Sequence, residues 1–327
     1  MSADDGAAAA PVTPCLDVSL DLPDRREGKV RVSYALGAHR RLFVTTDRLS
    51  AFDRIVAGVP YKGQVLNQLA AWWFDRTADV IANHAIAVPD PNALVATATT
   101  PLPVEVIVRG YITGVTATSL WRPYSQGARR LYGYELPDGL SKNERLARPL
   151  ITPTTKPTAD SGLHDEPLSM SEVVERGLVE AAVWEQVVAA AHELFARGQA
   201  VAEEAGTILV DTKYEFGTTA DGEVLLIDEM HTPDSSRYWL VDTYGARLRA
   251  GDEPESLDKE VVRRALAAAG FTGEGPVPDL DPSVWSETTA RYLDAFQRLT
   301  GRTFVPGEYP VERRLAARLD QIMEEWS

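Results

Sequence analysis

With 327 residues, 44% hydrophobic and 25% charged, the chain has the make-up of a soluble globular protein of one large or two moderate domains. A formal net charge of −15 argues against nonspecific nucleic-acid binding, so an anionic ligand needs locally gathered Arg and Lys. The lone Cys15 excludes an internal disulfide and a multi-cysteine metal site, nothing approaches a membrane span, and no basic-then-apolar leader is present, so a cytoplasmic protein is expected.

Residues 1–14 are small, acidic and Ala-rich and read as a disordered tail. Residues 28–34 read as a Gly-led loop entering a strand, with Val30, Val32 and Tyr34 alternating against Arg31 and Ser33. Gly28 lets backbone amides approach a phosphate, and Lys29 and Arg31 add charge; an exposed basic edge strand suits the same residues. A second strand at 42–46 runs into a polar loop at 47–53. A helix follows over 63–81, with Leu66, Leu69, Ala70, Trp73 and Phe74 on one broad apolar face. Residues 104–112 read as a strand in which Glu105 and Arg109 share a face, either as an ion pair or with the arginine presented to an anion. Residues 114–167 show little periodicity and much turn chemistry, which suits a ligand-binding region or a linker.

A short helix is expected at 170–176 and a long one at 180–205, ended by Gly206. Residues 207–229 then read as a hairpin turning at Asp221-Gly222, because a type I′ turn needs positive φ at both central residues. In that register Ala220 faces Glu223 and Glu215 faces Asp228, while Asp211, Lys213 and Glu215 share one strand face. Two carboxylates paired across strands, about 5 Å apart, repel unless a cation lies between them. Mg²⁺ takes one or two carboxylates plus substrate phosphates, so Glu215 and Asp228 beside Lys213 suggest a nucleotide held by metal and ammonium together. A polar loop, 232–237, leaves the hairpin and could meet a sugar or phosphate. Three helices are expected at 256–269, 283–300 and 311–326, covering the larger lobe.

Taken in order, the stretches GKVR, TDRLSAFD, PVEVIVRGYITG, LPDGL, ITPTTK, HDEPLS, DTKYEFG and IDEMHTPDSSRYW resemble the phosphoribosylaminoimidazole-succinocarboxamide synthase (SAICAR synthetase) family. The resemblance implies an α/β (α+β) fold: an antiparallel β-rich lobe over 15–112 and a larger α/β lobe over 113–327, with ATP in the cleft between them. It implies a ligase that condenses a carboxyaminoimidazole ribonucleotide with L-aspartate through an acyl phosphate, using ATP and Mg²⁺. Gly28, Lys29, Arg31, Lys213, Glu215 and Asp228 match the nucleotide site, with Glu215 and Asp228 as metal ligands and Lys29, Lys213 and Asp228 in the catalytic role. Arg109, Ser119, Lys156, His164, Asp165, Asp234, Ser235, Ser236 and Arg237 match substrate contacts. Two positions depart from the family pattern: Val32 follows the GKVR arginine, and Val115 stands where a serine usually follows YITG, leaving Ser119 as its substitute. The partners implied are small molecules, with no nucleic acid or membrane, in a monomer or small homo-oligomer. A small-molecule kinase with the same two lobes is the alternative, separable by the aspartate dependence of product formation. A noncatalytic nucleotide-binding module would bind ATP without turnover.

Overall fold

The computed structural model describes residues 12–52, 54–156, 165–271 and 273–326. Its first sheet is antiparallel, formed from β1 (Arg26–Glu27), β2 (Arg31–Leu36), β3 (Arg40–Thr45), β6 (Ala85–Asp90) and β7 (Ala93–Thr97) in the order β1-β2-β3-β7-β6. Period-2 alternation buries both of its faces. Val32, Tyr34, Leu42, Val44 and Val95 face one way, while Phe43, Leu94 and Ala96 face the other. Between β3 and β6 run a ribbon, β4 (Arg48–Ala51) with β5 (Arg54–Gly58), and the helix α1 (Lys62–Arg76). That helix buries Leu66, Leu69, Ala70, Trp73 and Phe74, as its periodicity predicts, but ends five residues before the expected 81.

The second sheet is centred on β14 (Thr207–Thr218). It takes up β8 (Thr100–Pro101) and β9 (Val104–Tyr111), then β12 (Arg145–Ile151) and β13 (Thr154–Thr155), and finally β15 (Val224–Ile227) and β16 (Ser236–Leu240). β9 falls within the residues expected of the first lobe, yet it pairs with β14 in this second sheet. The region 114–167 is structured over its described part: α2 (Trp121–Ser125), the small ribbon β10 (Arg130–Leu131) with β11 (Tyr134–Glu135), and β12 close a separate apolar cluster around Ile112, Leu120, Tyr124 and Tyr132. A linker is therefore the wrong description of residues 114–156. Helices α3 (Met170–Glu175), with a Ser169–Glu172 capping box, and α4 (Ala181–Glu204) back the central sheet.

The hairpin does not have the expected register. β14 and β15 pair Glu215 with Ile227 and Thr218 with Val224, leaving a five-residue connection, 219–223. Only Gly222 in it has positive φ, whereas a type I′ turn needs two such residues; Thr219 instead closes the loop through Glu223 N–H and Gly222 N–H. The one-residue slip removes Asp228 from the ladder.

The C-terminal helices are α5 (Val241–Ala250), not foreseen, then α6 (Glu260–Ala268), α7 (Pro282–Thr300), α8 (Val311–Ala316) and α9 (Leu319–Trp326). They do not all cover the larger lobe. α6 packs on the β4–β5 ribbon through Val262 and Leu266, and α7 joins the central core through Tyr292, Ala295 and Phe296. α8 and α9, expected as one helix, return to the first sheet, where Val311, Leu315 and Ile322 meet Val32, Tyr34 and Val44. Among the described residues no helix is long and apolar enough to cross a membrane.

Candidate active site

Alternation along β14 sends Asp211, Lys213 and Glu215 to one face, and the neighbouring strands complete each position. At Asp211 the register brings Arg109 of β9 on one side and Arg237 of β16 on the other. Both guanidinium groups reach the same carboxylate: Arg109 at 3.5 Å, and Arg237 in a closer pair. Burial would lower the Arg237 pKa, but Asp211 outweighs it and keeps the group charged. Arg109 also donates to Thr152 Oγ1 at 2.8 Å and to the Thr118 carbonyl at 2.9 Å, so it fastens the 114–119 turn over the sheet.

Two residues along, Lys213 donates to Glu215 at 2.5 Å and to Glu105 of β9 at 2.9 Å, and Lys156 pairs with the second oxygen of Glu215. Burial would raise the Glu215 pKa; the two ammonium groups outweigh that and hold it at about 2. The Glu105–Arg109 pair suggested by the sequence does not form; each finds its partner on β14. Arg31 pairs with Asp228 and lies 3.4 Å from Glu229. Asp228 has φ 68, a left-handed conformation just beyond β15. Its charge acts on Lys213, and that of Glu215 acts on Arg31, so the two carboxylates share one electrostatic neighbourhood without facing each other in a ladder.

The Gly28–Arg31 turn closes through Gly28 N–H to the Arg31 carbonyl at 2.8 Å, with Lys29 exposed on it. Arg48, buried and overlooked in the sequence, braces this turn. It donates to the Gly28 carbonyl at 2.9 Å and to Thr46 Oγ1 at 3.1 Å, and pairs with Glu27.

A cleft of about 300 Å³ opens over this face. Of the expected substrate residues, Arg109, Asp165, Asp234, Ser235, Ser236 and Arg237 line it together with Lys213. Lys156 instead stands beside Glu215, and His164 lies outside the described residues. Ser119 is not on the lining: its hydroxyl donates to the Thr116 carbonyl at 2.7 Å, and it packs against Gly114, where an added Cβ would sit 2.6 Å from Ser119 Cβ. Val115, 53% exposed, takes the lining position.

Asp234 is anchored from behind the cleft. One carboxylate oxygen accepts from Lys62 Nζ at 2.7 Å, the other from the Tyr292 hydroxyl at 2.6 Å, with Lys259 Nζ 3.8 Å away. Burial would raise the Asp234 pKa, but Lys259 and Lys62 outweigh it and keep the group ionised. Burial also pushes Lys259 down to about 8. Neither Lys62 nor Lys259 carried a recognisable signal in the sequence, since each looks like an ordinary helix-terminal lysine. Among the described residues no three His, Cys, Asp or Glu side chains gather as metal ligands. Glu215 and Asp228 are hard oxygen donors of the kind Mg²⁺ takes together with phosphate and water, and in this structure Lys213 and Lys156 hold the two oxygens of Glu215 while Arg31 holds Asp228.

The family model for SAICAR synthetase matches residues 24–276. The phosphoribosylaminoimidazole-succinocarboxamide synthase of Legionella pneumophila (strain Paris) is 47% identical over 298 residues, covering 90% of this chain and 94% of the relative. That of Bacteroides thetaiotaomicron is 44% identical over 281 residues, covering 85% and 87%. Among solved structures, a SAICAR synthase from Saccharomyces cerevisiae complexed with SAICAR superposes with a TM-score of 0.76 at 32% identity, covering 89% of this chain and 99% of that one.

Proposed function

Because the chain belongs to the SAICAR synthetase family, we propose that the β14 cleft joins the 4-carboxylate of a 5-aminoimidazole ribonucleotide to the amine of L-aspartate, converting ATP to ADP and phosphate. The observation that carries this reading is the sequence of charges along one strand face. Arg109 and Arg237 bracket Asp211 at one end, and Lys213, Glu215 and Lys156 meet at the other. Four residues of strand span about 13 Å. That is room for a nucleoside monophosphate laid along β14, its phosphate at the arginines and its carboxylate near Lys213.

A carboxylate is a poor acyl donor because oxide is its leaving group. In the first step a carboxylate oxygen attacks the γ-phosphorus of ATP, the bond to the β-phosphate oxygen breaks, and ADP leaves. In the second, the neutral aspartate amine attacks the acyl carbon, phosphate departs with the carboxylate oxygen, and the amine proton passes to solvent or phosphate. Phosphoryl transfer needs chiefly positioning and charge neutralisation, which Lys213 supplies from β14 and Lys29 and Arg31 from the braced turn. Glu215 and Asp228 would hold Mg²⁺, which supplies further positive charge to the phosphates when bound. Asp165, Ser235 and Ser236 line the cleft where the ribonucleotide and aspartate meet. Cytoplasmic location and a monomer or small homo-oligomer go with this reading. The relatives compared are all succinocarboxamide synthases, so the kinase alternative is set aside.

The test is a reconstituted reaction with ribonucleotide, ATP, Mg²⁺ and aspartate. ADP and amide are expected in equal amounts, with both requiring every component. ADP release that ignores the ribonucleotide would contradict the mechanism.

A further inference from the structure

Lys62 is the first residue of α1 and is fully buried. Both facts argue against a lysine there. The helix N-terminus carries partial positive charge, and burying an ammonium costs several kcal/mol before any partner is counted. The residue before it, Tyr61, has φ 65 and offers no side-chain cap. What Lys62 does have is Asp234, at 2.7 Å.

Asp234 in turn opens a short segment with several fastenings. Thr232 Oγ1 receives Ser235 N–H at 3.3 Å, Ser236 Oγ donates to Thr212 Oγ1 of β14 at 2.7 Å, and Arg237 closes on Asp211. Tyr292 of α7 holds the other Asp234 oxygen. Three elements distant in sequence, α1, the 232–237 loop and α7, therefore converge on one carboxylate. An apolar pair at 62 and 234 would pack such a site as well as an ion pair or better. Stability alone does not explain the choice.

We propose that Lys62 is a positioning residue for the ribonucleotide half of the cleft: by fixing Asp234 it sets the 232–237 loop, and with it Ser235 and Arg237, where the ribonucleotide binds. This rests on the reading of the cleft given above. Lys62 acts through the loop and touches neither substrate nor nucleotide in this role.

The test is calorimetric binding of the ribonucleotide, with KM and kcat for each substrate, in wild type, Lys62→Met and Tyr292→Phe. Lys62→Met should weaken ribonucleotide binding at least tenfold and raise its KM to match, while KM for ATP stays within twofold. Tyr292→Phe, which loosens the same carboxylate from the other side, should do the same more mildly; it carries the test if Lys62→Met does not fold. Unchanged ribonucleotide affinity in the folded variants, whatever their stability, would overturn the proposal, as would equal losses for ribonucleotide and ATP. Failure of the wild type itself to bind the ribonucleotide would overturn the reading of the cleft instead.

Discussion

At the scale of single residues, Asp228 shows how strain and chemistry meet. A non-glycine residue in the left-handed region costs roughly 1–2 kcal/mol, and Asp228 sits there with φ 68 while paired with Arg31. Asp228→Gly should be more stable than Asp228→Ala by about 1 kcal/mol in urea denaturation, since only glycine is free of the strain. Both should lose at least 100-fold in kcat, because neither offers a carboxylate. Asp258 gives a pH signature. Burial, with the Glu260 charge adding to it, pushes its carboxyl up to about 6. The folded chain then keeps a proton that the unfolded chain has already lost near pH 4. Its contribution to stability is complete below pH 4, falls as pH rises to about 6 and levels off above that. Relative to Asp258→Asn, wild type should therefore lose stability between pH 4 and 6 and hold a constant difference beyond; a difference independent of pH would contradict the assignment. Charged residues on alternating strand positions, such as Arg109, Lys213 and Glu215, were legible in the sequence because strand periodicity fixes their face. Lys62 and Arg48 were not, since their roles depend on Asp234 and Gly28, 172 and 20 residues away.

At the scale of elements, β14 was recognisable from its apolar flanks and its charges, but its partners were not. The Asp221-Gly222 pair suggested a two-residue turn, whereas Thr219 makes a longer loop by bonding across it. Turn type sets register, so this local difference moved Asp228 out of the pair assigned to it. Long-range pairing with β9 and β16, which places Arg109 and Arg237 around Asp211, left no mark in either segment alone. The approach of α4 to the 232–237 loop is similarly specific. Gly198 lies against His231, and a Cβ there would fall 2.3 Å from the imidazole Cε1. His231 is buried, bonded to the Tyr214 hydroxyl at 2.5 Å and next in sequence to Thr232, so it has little room to yield. Gly198→Ala should cost about 1–3 kcal/mol by overpacking, measured in urea, and should also raise KM for the ribonucleotide as the loop shifts. An unchanged denaturation midpoint would show that the helix moves freely.

At the scale of the molecule, the charge order along β14 is set within the second sheet, by β9 and β16 on either side of it, while Arg31 reaches Asp228 from the first sheet. Segment composition identified helices and strands, yet it did not reveal that α8 and α9 return to cover the first sheet, because amphipathic helices of this kind fit any apolar face. The family resemblance supplied the mixed α/β fold with antiparallel sheets where periodicity alone did not. The central claim, that the ribonucleotide carboxylate is activated by phosphorylation before aspartate attacks, is tested most directly by isotope transfer. With both carboxylate oxygens labelled with ¹⁸O, one label per turnover should appear in inorganic phosphate and the other should stay in the amide carbonyl. Unlabelled phosphate, with the second ¹⁸O released as water, would contradict it.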